Sequence, residues 1–139
     1  MKILLSISCC LLISAATARA STFVNYGEAD QSAKSVSLVS LIANPEAYDG
    51  KSVRVIGAFQ LAFEGNQLCL HKADLIHGLS SNCLWIEPNL AKLGVSYAKL
   101  AEFNGKYVLV EGTFVQGNHG HMGMFSGAIT PIWRVTLWR

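Results

Sequence analysis

The stretch Asp49–His71, DGKSVRVIGAFQLAFEGNQLCLH, constrains the fold more than any other part of the chain. Val53, Val55, Gly57, Phe59, Leu61 and Phe63 share one parity, while Arg54 and Gln60 stand on the other. A period of two is the mark of a strand with one buried face. Asp49-Gly50 precedes this run and Glu64-Gly65-Asn66 follows it, both with turn chemistry. Gln67–His71 then resumes the alternation, with Leu68 and Leu70 on the apolar side. The reading is a hairpin, which needs further segments to cover its apolar face.

The rest of the chain supplies them. Ser35–Ala43 carries Val36, Val39, Leu41 and Ile42 at roughly helical spacing and ends at Asn44-Pro45, which reads as a short helix on the sheet. Ala73–His77 reads as one helical turn, and Cys83–Ile86 as a third strand stopped by Pro88. Asn89–Phe103 reads as a helix, or two helical turns, interrupted at Gly94. Tyr107–Val115 is a fourth strand, with Val108, Val110, Gly112 and Phe114 facing in. Met124–Leu137 is a last strand or bent pair, with a bulge or unpaired edge expected at Pro131.

The order is helix, three strands, helix, two strands. That is a mainly β fold with short helices, a small five-stranded OB-like barrel (β-β-β-α-β-β) with an added N-terminal helix. Gly57, Gly112, Gly123 and Gly127 favour the coiling that closes such a barrel. An open curved sheet covered by the helices is the rival.

Residues 1–20 have Lys2, an apolar run from Ile3 to Ile13, and Ala18 and Ala20 around Arg19. This pattern predicts a secretory signal peptide cleaved after Ala20. The run is too short for a hydrocarbon core of about 30 Å, and lipid attachment at Cys9 or Cys10 would leave a still shorter one. No transmembrane anchor is therefore expected after cleavage, and the destination is the periplasm or the exterior. Residues 21–34, polar and aperiodic, read as a flexible arm, and 35–139 as the barrel domain.

Loss of Lys2 and Arg19 takes the formal net charge from +2 to 0, which argues against nucleic acid as a partner. Cys69 and Cys83 remain as the only thiols in an oxidising compartment, so one disulfide is expected, the alternative being two small buried hydrophobes. Parity agrees with the bridge. With Leu68, Leu70, Leu84 and Ile86 facing in, Cys69, His71, Cys83 and Trp85 share the outer face of the second and third strands. OB-folds usually bind ligands on that face.

His71 and Trp85 are accordingly candidate ligand-binding residues, the alternative for Trp85 being a place in the core under the first helix. Glu64 and Asn66 in one loop and His119 and His121 in another complete the candidate set. With an extended backbone, His119 and His121 point to one side; with a third ligand from His71, His77 or Asp74 they would hold zinc or copper. The alternative is a pair of solvated or capping histidines.

No nucleophile elbow, phosphate cradle or Ser, His and acid set is recognisable. Glu64, Glu87 and Glu111 stand at turn or strand positions typical of solvated groups, so no enzymatic activity is expected. Trp133, Trp138, Tyr107 and Phe125 lie in or beside the last strands. Either alternate aromatics close the barrel core, or Trp138 with Arg134 and Arg139 forms a contact edge for a protein partner.

Four segments also carry a resemblance: Asn44–Gly57, Leu84–Ile86, Tyr107–Phe114 and Gly120–Gly127. Together they resemble a family of uncharacterised secreted bacterial proteins over most of the mature chain. The first block is also similar to small OB-like domains of bacterial envelope proteins. The resemblance implies export and an OB-like domain, and no particular activity. The expected function is a non-enzymatic binding or accessory protein for an unknown protein or envelope ligand. No cofactor is expected. Alternatives are a metal-binding protein or metal-dependent enzyme using His119 and His121, and a periplasmic immunity-type inhibitor.

Overall fold

The computed structural model describes residues 23–139; the expected signal peptide lies outside the described residues. The chain runs through β1 (Asn25–Gly27), β2 (Lys34–Ser35), α1 (Leu38–Ala43), β3 (Ser52–Gln60), β4 (Gln67–Cys69) and α2 (Lys72–His77). It continues through β5 (Cys83–Pro88), α3 (Leu90–Leu93), α4 (Tyr97–Leu100), β6 (Tyr107–Val115) and β7 (Ala128–Leu137).

Strands β3 to β7 close on one another in the order β3-β4-β5-β7-β6 and back to β3. The β5–β7 pair is parallel and the other pairs of the ring are antiparallel. This is the five-stranded OB barrel, with β1 and β2 added outside it.

Side-chain parity along β3 and β6 is as the alternation predicts. Val53, Val55, Phe59, Val108, Val110 and Phe114 are buried inside with Leu68, Leu84, Ile86, Ile129, Ile132 and Val135. Leu38 and Leu41 from α1, and Leu93, Leu100 and Phe103 from the β5–β6 connection, join the same core. Ser37 caps α1 by accepting the Ser40 N–H at 3.0 Å, and Gly94 ends α3 in the left-handed region, splitting the expected Asn89–Phe103 helix in two.

Strand β3 is shorter than its alternation suggests. The backbone of Leu61 is taken by the Asn104 side chain, which accepts the Leu61 N–H at 2.8 Å and donates to its carbonyl at 2.9 Å. Pairing with β4 stops at Gln60, and Phe63 swings out to 91 % exposure instead of joining the core.

Two bulges bend β7. Gly112 pairs with Ile132 and Phe114 with Ile129, so one extra residue sits beside Pro131, as expected; Glu111 pairs with Arg134, so Trp133 is a second extra residue.

The arm expected to be flexible is an ordered structural element laid along the outside of the barrel. Asn25–Gly27 pairs antiparallel with Thr136–Arg134, Lys34–Ser35 pairs parallel with β3, and Val24 and Tyr26 pack on the core. Its polar residues serve as partners for buried groups, which composition does not reveal.

Glu111 is the clearest departure from expectation. It lies on the outer face of β6, yet it is fully buried. Register explains it: Arg54, Glu111 and Arg134 stand side by side on β3, β6 and β7. Glu111 Oε1 accepts Arg54 Nε at 2.6 Å and Arg134 Nη1 at 2.7 Å, while Oε2 accepts the Asp30 N–H at 2.7 Å. The arm thus roofs the ion triad. Burial pushes the Glu111 carboxyl up; the Asp30 N–H and the two guanidiniums outweigh it and hold it below its ordinary range.

Candidate functional site

The outer face of β4 and β5 carries Cys69, Cys83 and Trp85, as parity requires. Cys69 and Cys83 are directly opposed, with Cα atoms 4.0 Å apart, and are joined as a disulfide. Both are fully buried, because Phe125 and Leu75 cover them on the outside of the barrel. Trp85 is half-buried in this satellite cluster, 5.4 Å from the Phe125 ring, and is not part of the main core.

The cover is the β6–β7 connection, residues 116–127. Asp49 accepts the Gln116 N–H at 2.9 Å at one end of it. At the other end Ser126 donates from its N–H to the Cys83 carbonyl at 3.1 Å and from its hydroxyl to the Ser81 carbonyl at 2.7 Å. Between them, His119 Nδ1 lies 2.8 Å from the Phe125 carbonyl, and the Phe125 N–H returns to the His119 carbonyl at 3.1 Å.

Gly120 makes the descent possible. Its φ of 60° and ψ of −153° suit glycine, and a Cβ there would lie 2.6 Å from Trp85 Cγ. The face that a typical OB-fold offers to ligands is therefore covered by the protein's own loop.

The same twist governs the histidines. The backbone at Gly120 is not the extended strand that would aim His119 and His121 to one side. Instead, His119 closes the loop and His121 Nε2 stands 3.5 Å from Glu64 Oε2, joining the two loops at the barrel rim.

His71 lies outside β4, at the start of α2, where its N–H donates to Asp74 Oδ2 at 2.7 Å. Asp74 Oδ1 accepts Asn82 Nδ2 at 2.9 Å; that bond, against burial and with the help of His71, holds the Asp74 carboxyl below its ordinary range. Among the described residues no group of three His, Cys, Asp or Glu side chains is placed to hold a metal ion, so His119 and His121 do not gain His71, His77 or Asp74 as a third ligand.

Asn66 has a structural task, accepting the Ala62 N–H at 3.1 Å to shape the β3–β4 loop. Glu87, the other carboxylate of this face, accepts from Trp85 Nε1 at 2.9 Å and from the Thr130 hydroxyl at 2.7 Å.

The rim where the two loops meet has features absent from the candidate set. Phe63, next to Glu64, is 91 % exposed, and Met122, next to His121, is 82 % exposed; Met124 is also exposed. Glu64 at φ 53° and Met122 at φ 52° are held in the left-handed region, a conformation that costs about 1 kcal/mol or more for a non-glycine residue. The apolar residues were legible as such. Their exposure was not, since Phe63 continues the inward parity of its strand.

Trp133, Trp138 and Tyr107 lie outside the main core, and Phe125 lies over the disulfide, so these four do not close the barrel interior. Trp138 instead lines an apolar cleft with Ile56, Leu70 and Leu109. Arg134 is committed to Glu111.

None of the described helices is long and apolar enough to cross a membrane. Comparisons of the chain with protein-family models, with curated proteins and with solved structures find no match.

Proposed function

We propose that this is an exported, non-enzymatic binding protein that recognises a protein of the cell envelope through the rim formed by the β3–β4 and β6–β7 loops. The observation that carries the reading is the exposed trio Phe63, Met122 and Met124 around the His121–Glu64 contact. Phe63 and Met122 are almost fully presented to water and Met124 about half; a group of exposed apolar side chains is a marker of interaction surfaces, and methionine suits adaptable packing. The positive φ values of Glu64 and Met122 support it further, because backbone strain of this kind gathers at binding sites.

Export to the periplasm or the exterior is supported by the signal-like residues 1–20 and by the disulfide, which persists in an oxidising compartment. Recognition through the flat face of β4 and β5 requires the covering loop to move; recognition at the rim does not.

The test is site-specific photo-cross-linking in intact cells, with the reactive residue placed at position 63 or 122 and, as a control, at exposed position 102. One discrete adduct from both rim positions and none from the control is expected. Adducts that are absent, or no different from the control, would refute the reading. N-terminal sequencing of the exported form should begin at Ser21.

A further inference from the structure

A second site is built by elements that the rim does not use. Its wall is Trp133, the extra residue of the second β7 bulge. Bulges commonly re-aim a side chain, and this one leaves the indole half-exposed in a cleft of 460 Å³ lined by Glu28, Asp30, Lys92 and Trp133. That volume lies in the range of small-molecule sites, roughly 300–1,000 Å³.

The carboxylates are brought there by a clamped arm. At Gly27, φ is 76° and a Cβ would fall 1.9 Å from the Trp133 carbonyl oxygen, so only glycine allows β1 to lie this close before the chain turns into Glu28. Asp30 is then fixed at both ends of its peptide units: its N–H donates to Glu111 and its carbonyl accepts from Arg54 at 3.1 Å. Its carboxylate is oriented by the Ser32 N–H and hydroxyl at 2.8 and 2.7 Å. The Arg54–Glu111–Arg134 triad, centred on the buried Glu111, thus holds the acidic lip of the cleft in place.

Opposite, on α3, Lys92 places its Nζ 6.0 Å from the centroid of the Trp133 ring. Among the described residues neither Lys92 nor Glu28 belongs to an ion pair. The cleft lining therefore carries Glu28, Asp30 and Lys92 around an aromatic face whose quadrupole attracts cations; the Arg54 guanidinium stands behind Asp30, which leaves Glu28 as the carboxylate with no cation of its own among the described residues.

We propose that this cleft binds a small organic cation whose ammonium group takes the place of Lys92 on the Trp133 face, flanked by Glu28 and Asp30. Lys92 is the resident cation and must swing out, which its exposed, flexible stem allows.

The probe is 1,5-diaminopentane added to the purified protein, followed by the Trp133 indole N–H signal in NMR and by calorimetry. Glutarate and 1,5-pentanediol serve as the anionic and neutral probes of equal length. The diamine alone is expected to shift the signal, and less so at high salt. Glu28→Gln and Trp133→Leu should each weaken binding about tenfold, equivalent to about 1.4 kcal/mol, whereas Lys92→Met, which removes the competing cation, should strengthen it by a similar factor. Because Glu28 and Lys92 are exposed, their variants keep the fold and read binding alone. No response to the diamine, an equal response to glutarate or the diol, or weaker binding in Lys92→Met would overturn the proposal. None of these outcomes bears on cross-linking at the rim.

Discussion

Gly120 lies against the indole of Trp85 so closely that a single added carbon would stand 2.6 Å from the ring. The contact explains how the β6–β7 loop can lie flat on β5. It also predicts the effect of Gly120→Ala, which adds a clash to a left-handed backbone. A loss of about 1–3 kcal/mol is expected, with changed Trp85 and Phe125 signals and unchanged signals from the barrel interior. Wild-type stability in thermal unfolding would show that the loop is not anchored there.

The Cys69–Cys83 bridge closes a loop with a sequence separation of 14. Replacing both cysteines with serine should reduce stability by about 3 kcal/mol in denaturant unfolding. Phe125 and Leu75 shield the sulfurs, so dithiothreitol should reduce the native protein slowly and Phe125→Ala much faster. Equal reduction rates would mean that the cover is open in solution.

Removing the buried carboxylate at the centre of the triad leaves two partly exposed guanidiniums without their partner. Glu111→Gln is expected to cost about 3–5 kcal/mol, far more than a typical outward-facing strand position. Hydrogen exchange should show the arm from Asn25 to Asp30 loosening first, since its anchor to Asp30 is weakened.

The same carboxylate makes stability depend on pH in a defined direction. The folded-state pKa of Glu111 is lowered, so its contribution is present above the unfolded-state value, about 4.3 for glutamate, and is lost as pH falls through the folded value. Asp74, also lowered, acts in the same sense below about 3.9. Wild-type stability should therefore decline on acidification below about pH 4.3, and Glu111→Gln should show a shallower decline. Parallel pH profiles would contradict the role given to Glu111.

At the rim, Phe63→Ser should leave stability within about 0.5 kcal/mol of wild type, because a side chain 91 % exposed has little burial to lose. With the photoreactive residue placed instead at the neighbouring exposed position 124, the discrete adduct is expected from the otherwise wild-type chain and should be abolished when Phe63→Ser is combined with Met122→Ser. A large stability loss would instead place Phe63 in the fold.

The alternation of Val53 to Leu61, and of Val108 to Phe114, made the barrel strands and their inward faces legible. A side chain that faces a dry interior must be apolar, and a strand presents every second residue to it. The same parity placed both cysteines on one outer face, and the β4–β5 register sets them directly opposite each other. His119 and His121 show where such reasoning stops, since the side to which an H-x-H pair points depends on the backbone angles of Gly120, which are set by Trp85 beneath it. The alternating Val24 and Tyr26 were the available sign that the polar N-terminal stretch packs on the core.

Local periodicity and turn chemistry were enough for the OB-like order of elements, the inward faces of the strands and the placing of Cys69 and Cys83 on one outer face. Packing between distant segments is what joins Cys69 to Cys83, buries outward-facing Glu111, exposes inward-parity Phe63 and covers the β4–β5 face with its own loop. Those outcomes depend on which strands lie side by side and on what lies across them. Residues distant in the chain set both: Glu111 receives Asp30 from 81 positions away and Arg54 from 57, and no local pattern encodes such a meeting.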